Sequence, residues 1–321
     1  MALKIAFVAH GVWPFLKAGS ETMMHGLARS LHDGGHNVVT LGVRDTPGSV
    51  VLDGVTVLSG GEARRRWRLG RFDVVITHHS ESLRVIPAAR SRGIKSTLLV
   101  HSDEDHISRQ IEASPDLVVY NTKWVREAFG VPGMVVHPPV RPEDHATTPG
   151  DAVTLVNLNR DKGAEVFYEL ARRLPDVQFI GVRGGHGAQI TRPGPNVTIL
   201  DGTADMKRNV WSRTSILLMP SLHESYGLAG MEAMASGIPV IANPTAGLCE
   251  ALGDAGVFID REDVDGYEAQ LRLLLANPDR MKLARDAAKA RVGRLSTGHE
   301  LAAFVDAIER LAAGEKQAAA A

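Results

Sequence analysis

The chain has 321 residues, 44% of them hydrophobic and 23% charged, which is typical of a soluble globular protein with about two domains. Its 36 basic residues nearly balance its 37 acidic ones, so no long-range charge favours general nucleic-acid binding. A single cysteine, Cys249, excludes an intrachain disulfide, and the lack of any apolar run near about 20 residues predicts a cytoplasmic protein without a signal peptide or membrane span.

Short β-branched runs alternate with helical patterns in the first half of the chain, which is typical of a parallel sheet crossed by helices. The predicted strands lie near residues 3–9, 37–42, 74–78, 96–101, 117–121 and 133–137. The predicted helices lie near 20–33, 81–92, 103–113 and 123–129. A Pro-rich polar stretch at 138–151 then interrupts the alternation and predicts a linker.

The alternation starts again after this stretch. The predicted strands of the second half lie near 153–158, 177–182, 197–200, 215–219, 239–242 and 256–259. The predicted helices lie near 162–173, 205–212, 227–236, 247–252, 263–275 and 278–294. A last helical pattern places Leu301, Phe304, Ile308 and Leu311 on one face. The whole pattern predicts the α/β class, with two Rossmann-like domains.

Residues 221–243, SLHESYGLAGMEAMASGIPVIAN, form the most informative segment of the chain. The pattern predicts a helix that starts near Gly227 and ends at Gly237, so that Glu224 lies in the preceding loop and Glu232 on the helix. A helix start offers unpaired N–H groups and a partial positive charge to a phosphate, while the carboxylates can accept sugar hydroxyl protons. This combination predicts a sugar-nucleotide site.

The same segment resembles the motif of retaining glycosyltransferases of family 4, E-x-F-G-L-x-x-x-E-A-M-A-x-G-x-P-V. Tyr226 stands at the usual Phe position. The positions that match are Gly227, Glu232, Ala233, Met234, Ala235, Gly237, Pro239 and Val240. The resemblance implies the GT-B fold, in which two Rossmann-like domains face each other across a cleft and a C-terminal helix crosses back to the first domain.

The resemblance also implies an arrangement of domains along the chain. We expect an acceptor-binding domain at 1–143, a linker at 144–151, a nucleotide-sugar-binding domain at 152–295, a crossover helix at 296–312 and a disordered tail at 313–321. The implied activity is retaining, metal-independent transfer of a sugar from a nucleoside diphosphate sugar to the hydroxyl of a small-molecule or glycan acceptor. No cofactor is expected.

Family resemblance assigns roles to the residues of this segment. Glu232 is expected to bind ribose hydroxyls and Glu224 the sugar hydroxyls, while the N–H groups of Gly227 and Leu228 are expected to bind the diphosphate. No carboxylate pair is predicted to flank the anomeric carbon as in a glycosidase. The resemblance therefore implies reaction on the leaving-group face, with the diphosphate taking the acceptor proton.

A second match follows the first strand of the second half, in the segment VNLNRDKGAEVF. It resembles the family motif G-R-x-x-x-x-K-G, whose basic pair binds the donor diphosphate, and Lys162 and Gly163 match it. Asn157 stands where the family has arginine, and Arg160 is the nearby substitute candidate. A cation here would stabilise the charge that develops on the leaving diphosphate.

Three glycine-rich loops are further donor-site candidates. Gly19 lies in a stretch similar to the family's P-x-x-G-G-x-E and precedes a helix for which Ser20 is the predicted cap. Gly184 lies in the loop GVRGGHG, and Gly247 lies in TAGLCE, which resembles the family's G-G-x-x-E turn. An ordinary glycine turn is the alternative interpretation of the loop that contains Gly19. This loop lacks the dinucleotide-binding motif G-x-G-x-x-G, which counts against a dehydrogenase.

Histidines follow several predicted strands. They are His10, His78, His79, His101 and His137. Their dispersed spacing does not indicate a zinc site, and we predict no metal. His101 matches a family histidine close to the transferred sugar and is a catalytic candidate, whereas a structural role is expected for the others. Asp103 and Asp105 form a D-x-D string, but Ser102 and Asp103 are predicted to cap a helix instead.

Two interpretations outside transfer remain open. A nonhydrolysing sugar-nucleotide epimerase would share the architecture and convert the donor without an acceptor. A sugar-nucleotide binding module would leave the donor intact. The basic run EARRRWRLGRF, with Trp67 among five arginines, is expected to be a solvated surface segment in preference to a peripheral membrane contact.

Overall fold

The computed structural model describes residues 1–16, 18–44, 47–185, 187–295 and 298–315. The chain divides into two compact units, unit 1 from Met1–Pro139 with Gly298–Ala321, and unit 2 from Val140–Thr297. Among the described helices, none is both long and apolar enough to cross a bilayer. Residues 296–297 of the predicted crossover helix and 316–321 of the predicted tail lie outside the described residues.

Unit 1 is built on a mainly parallel sheet. Its strands are β1 Lys4–Ala9, β2 Asn37–Gly42, β3 Gly48–Leu52, β4 Val55–Ser59, β5 Val74–His78, β6 Lys95–Val100, β7 Leu117–Tyr120 and β8 Met134–Val135. Its first helices are α1 Gly19–Asp33, α2 Gly60–Leu69, α3 Ser82–Ser91, α4 His106–Glu112 and α5 Lys123–Phe129. Within the described residues the strand order is β3-β4-β2-β1-β5-β6-β7-β8, and only the β3–β4 pair is antiparallel.

The central strand β1 shows why this sheet is covered on both faces. Ile5 and Phe7 point into one apolar core and the alternating Ala6 and Val8 into another, and all four are fully buried. Such a run is typical of a parallel strand with helices on both sides. The α/β class predicted from the sequence is confirmed.

Unit 2 contains a second sheet. Its strands are β9 Ala152–Val156, β10 Phe179–Val182, β11 Val197–Leu200, β12 Thr214–Met219, β13 Val240–Ala242 and β14 Val257–Phe258. Its helices are α6 Pro142–His145, α7 Ala164–Arg173, α8 Met206–Asn209, α9 Leu228–Ala235, α10 Ala246–Leu252, α11 Val264–Ala276 and α12 Pro278–Leu295. Among the described residues the order is β11-β10-β9-β12-β13-β14, and all pairs are parallel.

The C-terminal helix α13, His299–Ala312, packs in unit 1, as the apolar face of this segment predicts. Phe304 and Ile308 are fully buried in the same core as Phe7. Glu300, near the start of α13, accepts a hydrogen bond from the His137 backbone N–H at 2.8 Å and lies 2.9 Å from His137 Nδ1. His137 thus ties α13 to the strand region of unit 1.

Several elements differ from the predictions. The hairpin β3–β4 and helix α2 were not predicted, although Asp53 and Gly54 at the hairpin turn both have the positive φ of a two-residue loop. The arginine run lies on α2, where Arg64 donates to the Val43 carbonyl and Arg92 lies over the Trp67 ring.

Both predicted helix caps are wrong. Ser20 lies inside α1, whose N-cap residue is Ala18, and its hydroxyl donates to Glu21. Helix α4 begins only at His106, with Asp105 at the N-cap position, so Ser102 and Asp103 precede the helix. Neither predicted cap therefore stands at the N-cap position of its helix.

The boundary between the units lies earlier than the predicted linker at 144–151. Val140 is buried in the core of unit 2, and the Ser236 hydroxyl donates to the His145 carbonyl and accepts from the Thr147 N–H. These contacts hold the Pro-rich stretch against α9, so residues 140–151 pack as part of unit 2.

Each sheet has a point where the strand order changes direction. In unit 1 the chain moves outward from β1 on one side and from β5 on the other, and in unit 2 it does so from β9 and β12. Parallel sheets bind ligands at the carboxyl ends of the strands that flank such a switch point. The loops after β1, β5, β9 and β12 are therefore the candidate ligand-binding loops.

Candidate functional site

The switch point of unit 2 brings together the two loops that carry the predicted donor-site acids and bases. The loop after β9 contains Asn157, Arg160 and Lys162, and the loop after β12 contains Glu224. The Leu222 N–H donates to the Asp161 carbonyl at 2.8 Å, which joins the loops through their backbones. Two loops that are distant in sequence thus meet at one sheet edge.

Lys162 and Glu224 form an ion pair at this edge. Lys162 Nζ donates to Glu224 Oε1 at 2.5 Å, and the Ser221 hydroxyl donates to the same oxygen at 3.1 Å. The side chains are 28% and 14% exposed, so the pair is partly shielded from water and still open to a ligand. The predicted phosphate-binding lysine and sugar-binding acid therefore neutralise each other.

Asn157 has a structural environment that the sequence does not predict. Its Oδ1 accepts a hydrogen bond from Gln189 Nε2 at 2.8 Å, and Gln189 Oε1 accepts from the N–H groups of Leu158 and Gly184. A Cβ on Gly184 would lie 2.2 Å from Asn157 Cγ, so only glycine fits there. The Gln189 amide thus joins Asn157, in the loop after β9, to Gly184, in the loop after β10.

Arg261 is a residue that sequence reasoning missed. Its guanidinium donates to the carbonyl oxygens of Arg160 at 2.6 Å, Asp161 at 2.8 Å and Pro220 at 3.0 Å. The side chain is only 11% exposed. Because these carbonyls belong to both loops, Arg261 holds the lysine loop and the glutamate loop in fixed relation. It lies about 100 positions beyond the first loop, so no local pattern indicates it.

Arg160 itself is exposed, and the structure shows its backbone carbonyl held by Arg261. The arginine expected as a substitute for the family's basic pair therefore has a fixed backbone and a side chain at the surface. Lys162 is held locally as well, since its N–H donates to Asn159 Oδ1 at 2.8 Å.

The glycines near Glu224 allow close backbone approach. Gly227 has φ 88° and is the N-cap residue of α9, where a Cβ would lie 2.5 Å from Leu248 Cδ2. A Cβ on Gly247 would lie 2.2 Å from the Glu224 carbonyl oxygen. The α9 helix begins at Leu228, as predicted within a residue, and its first N–H groups have no acceptor inside the helix. Helix α10 therefore packs directly against the Glu224 loop.

Glu232 lies on α9 among buried neighbours. Burial raises the pKa of the Glu232 carboxyl to about 7. The group therefore has a substantial protonated fraction near neutral pH, and a ligand that donates hydrogen bonds to the ionised form would lower that pKa.

The switch point of unit 1 brings together four histidines. His10 follows β1, His78 ends β5, His79 follows it and His101 follows β6. The centroid of the His78 ring lies 4.4 Å from the ring centroid of His79, 5.1 Å from that of His101 and 6.0 Å from that of His10. His78 Nδ1 and His101 Nε2 are 3.0 Å apart and share a hydrogen bond. Because these histidines are dispersed along the sequence, their spacing does not predict that they lie close together.

The imidazoles of His78, His79 and His101 are largely uncharged. Burial, together with the neighbouring histidines, lowers the pKa of His78 and of His101 well below its usual range, and burial lowers the pKa of His79 to about 4. His79 also has a positive φ of 50°, which is uncommon outside glycine. Gly19 starts α1 in the same unit. His101 and Gly19 thus lie in unit 1, and the other predicted site residues lie in unit 2.

The two parallel-sheet, Rossmann-like units match glycosyltransferase structures of the GT-B class. Sucrose-phosphate synthase from Thermosynechococcus elongatus has a TM-score of 0.75 at 17% identity, with 95% of this chain and 98% of that chain covered. Anabaena Alr3699/HepE in complex with UDP-glucose has a TM-score of 0.74 at 15% identity, with 97% and 100% covered. The predicted fold is confirmed.

Residues 152–277 match the protein-family model described as glycosyl transferases group 1. A D-inositol 3-phosphate glycosyltransferase of Segniliparus rotundus is 30% identical over 142 residues, which is 40% of this chain and 32% of the relative. One of a Mycobacterium species is 25% identical over 264 residues, covering 64% and 60%. The chain thus matches between about a third and three fifths of these relatives' length. Residues 152–277 thus resemble the domain described as glycosyl transferases group 1, and the fold of the chain is that of the glycosyltransferase structures above.

Proposed function

We propose that the chain catalyses retaining, metal-independent transfer of a sugar from a nucleoside diphosphate sugar to an acceptor hydroxyl. The observation that carries the proposal is the partly exposed Lys162–Glu224 ion pair at the switch point of unit 2. Glu224 lies three residues before Gly227, the N-cap residue of α9. A cation, a hydroxyl-binding acid and a helix start in one place suit a diphosphate joined to a sugar.

Donor binding replaces the internal ion pair with contacts to the ligand. Lys162 turns to the diphosphate, where it stabilises the negative charge that grows as the anomeric carbon–oxygen bond breaks. Glu224 is then released to accept hydroxyl protons of the sugar. The acceptor oxygen bonds to the anomeric carbon on the face that the diphosphate leaves, and a diphosphate oxygen takes the acceptor proton.

What related proteins are described to use supports a choice of donor and acceptor to test. The Anabaena structure contains UDP-glucose, and the curated relatives are named for an inositol phosphate acceptor. These descriptions support a uridine diphosphate sugar as the first donor to test and a small hydroxylated molecule as acceptor. Glu232 would bind the ribose hydroxyls, and His101 stays a catalytic candidate by its resemblance to the family histidine. The cytoplasmic location expected from the sequence belongs to the same proposal.

The experiment measures nucleoside diphosphate release from a panel of nucleotide sugars without acceptor. We expect slow release from one donor, because glycosyltransferases pass a fraction of turnovers to water. Lys162→Ala should lower this rate by about 100-fold or more, the typical cost of losing one preorganised electrostatic contact. Lys282→Ala is the matched control, since Lys282 is an exposed unit 2 lysine paired with Asp286.

The remaining outcomes separate the alternatives. Conversion of the donor to an epimer without diphosphate release would indicate the epimerase, and tight binding of an unchanged donor would indicate the binding module. Arg160→Ala tests the substitute arginine, and a loss comparable to that of Lys162→Ala would show that both cations act on the diphosphate. If folded Lys162→Ala keeps the full rate, the proposed phosphate site is wrong.

A further inference from the structure

We propose that His10, Glu21 and His78 form a binding site for a divalent first-row transition metal of the zinc type. The site lies wholly in unit 1, and the proposal is independent of the proposed function. It assigns a role to His10 and His78, to which the proposed transfer gives none.

The three side chains come from elements that meet at the switch point. His10 follows β1, Glu21 lies in the first turn of α1, and His78 ends β5. Glu21 Oε1 lies 3.9 Å from His10 Nε2 and 3.9 Å from His78 Nε2. The three ligand atoms all lie within 4.8 Å of one another. They therefore surround one point from three separate elements.

The ring of His78 is oriented for a ligand. Its Nδ1 shares the hydrogen bond with His101, whereas its Nε2 is buried and has no hydrogen-bond partner among the described residues. A metal-bound histidine typically uses one nitrogen for the metal and the other for such an outer partner. When Nδ1 donates to His101, the lone pair of His78 is on Nε2, which lies 3.9 Å from Glu21 Oε1.

The charge of the cluster also favours a cation. The Glu21 side chain is 2% exposed, and the ion pairs recorded for it among the described residues join it only to His10 and His78. Burying a carboxylate is costly unless it is paired. Among the described residues the Ser20 hydroxyl donates to Glu21 Oε2 at 2.8 Å, and Glu21 Oε1 faces the two imidazoles at 3.9 Å. A divalent ion would compensate the carboxylate where the side chains do not.

The distances suit zinc after a small adjustment. Tetrahedral ligands at the usual zinc–nitrogen distance are about 3.4 Å apart, so each 3.9 Å separation needs to close by about 0.5 Å. Two imidazoles and a carboxylate are a recurrent ligand set for zinc with one open position, whereas magnesium and calcium prefer oxygen ligands alone. The second histidine set, His78 with His79 and His101, is less suitable because His78 and His101 use their facing nitrogens on each other.

The test is zinc titration of tag-free protein that has been stripped with chelator. We expect one equivalent of zinc to bind, measured by competition with a chromophoric chelator. Bound Co²⁺ should give the visible absorption of a low-coordinate nitrogen–oxygen site. His10→Ala and the isosteric Glu21→Gln should each lower zinc affinity by about tenfold or more. Since His10 is partly exposed, its variant tests the site without disturbing the core.

His106→Ala is the matched control, because this neighbouring histidine is 53% exposed and lies outside the ligand set. It should keep the zinc affinity of the wild type. The proposal is overturned if the wild type binds zinc no more tightly than the His10→Ala/Glu21→Gln double variant. It is equally overturned if His106→Ala loses as much affinity as His10→Ala, because binding would then be to surface histidines in general.

Discussion

At the residue scale, the raised pKa of Glu232 predicts that donor binding depends on pH. Its raised pKa of about 7 means that the ionised form prevails only above neutral pH in the free protein. Ribose hydroxyls donate hydrogen bonds to an ionised carboxylate, so the nucleotide selects that form. Because the ionised fraction falls about tenfold between pH 8 and pH 6, UDP affinity should fall by about tenfold over the same range.

The matched variant is Glu232→Gln, which keeps the shape of the side chain and removes its titration. Its UDP affinity, measured by calorimetry at both pH values, should show only the dependence that comes from the diphosphate itself. The difference between the two proteins isolates Glu232. Equal pH dependence in both proteins would exclude Glu232 from nucleotide binding, whatever the absolute affinities.

At the same scale, Lys162 and Glu224 show how much the residues alone can predict. The motif resemblance indicates both side chains, and the structure places them in one ion pair. Asn157 shows the limit. Its position in the motif predicts a donor contact, whereas its amide oxygen is engaged by Gln189, which lies 32 positions away. Such a partner depends on where two loops meet and not on local spacing.

At the element scale, Arg261 connects the loop before α11 with the loops after β9 and β12. Removing its guanidinium leaves the carbonyls of Arg160, Asp161 and Pro220 without this donor. We expect Arg261→Met to lower kcat/KM for the donor by about tenfold, since hydrogen bonds from charged groups contribute about 1.5–3 kcal/mol. Arg261→Lys should restore part of the loss, because it keeps one cationic donor.

The control is Arg272→Met, since Arg272 lies on α11, is 58% exposed and pairs with Glu268. It should leave donor kinetics unchanged. A purely structural role for Arg261 would lower the thermal stability and leave KM for the donor unaltered in the folded fraction. That result would contradict its assignment as a positioning residue for the two loops.

Also at the element scale, the hairpin β3–β4 has a turn sequence that favours a hairpin. Asp53 and Gly54 form the Asp-Gly pair that favours a two-residue turn, and Val50 pairs with Val57 across it. The incorrect caps show the limit of residue preference. Ser20, Ser102 and Asp103 are residue types that favour N-caps, but α1 already begins at Gly19 and α4 begins only at His106.

At the scale of the whole molecule, the proposed catalytic charges and the proposed metal site lie in different units. Lys162 and the start of α9 belong to unit 2, and His10, Glu21 and His78 belong to unit 1. We therefore expect transfer activity to survive excess chelator, because Lys162 and the α9 N–H groups compensate the diphosphate charge without a metal. The measurement is the initial rate before and after chelation, with zinc content determined in the same samples.

Two results would contradict this expectation in different ways. Activity that is lost with chelator and restored by manganese would point to a catalytic metal, with Asp103 and Asp105 as the first residues to test. Activity that falls in parallel with zinc release from unit 1, and is restored by zinc, would show that the unit 1 site is needed for turnover. Survival of activity in protein free of zinc separates transfer from metal binding.

Local patterns were sufficient to predict the α/β class, most strand and helix positions, the return of α13 and the Glu224–Glu232 segment. These features depend on periodicities of two or 3.6 residues and on glycines at helix ends, which any short stretch of sequence carries. Only the tertiary structure decided which residues meet. His10, Glu21, His78 and His101 converge because β1 and β5 are neighbours, and Arg261 reaches carbonyls about 100 positions away because β13 and β14 extend the sheet from β12. Strand order is a property of the whole packed unit, and no periodicity within a single segment encodes it.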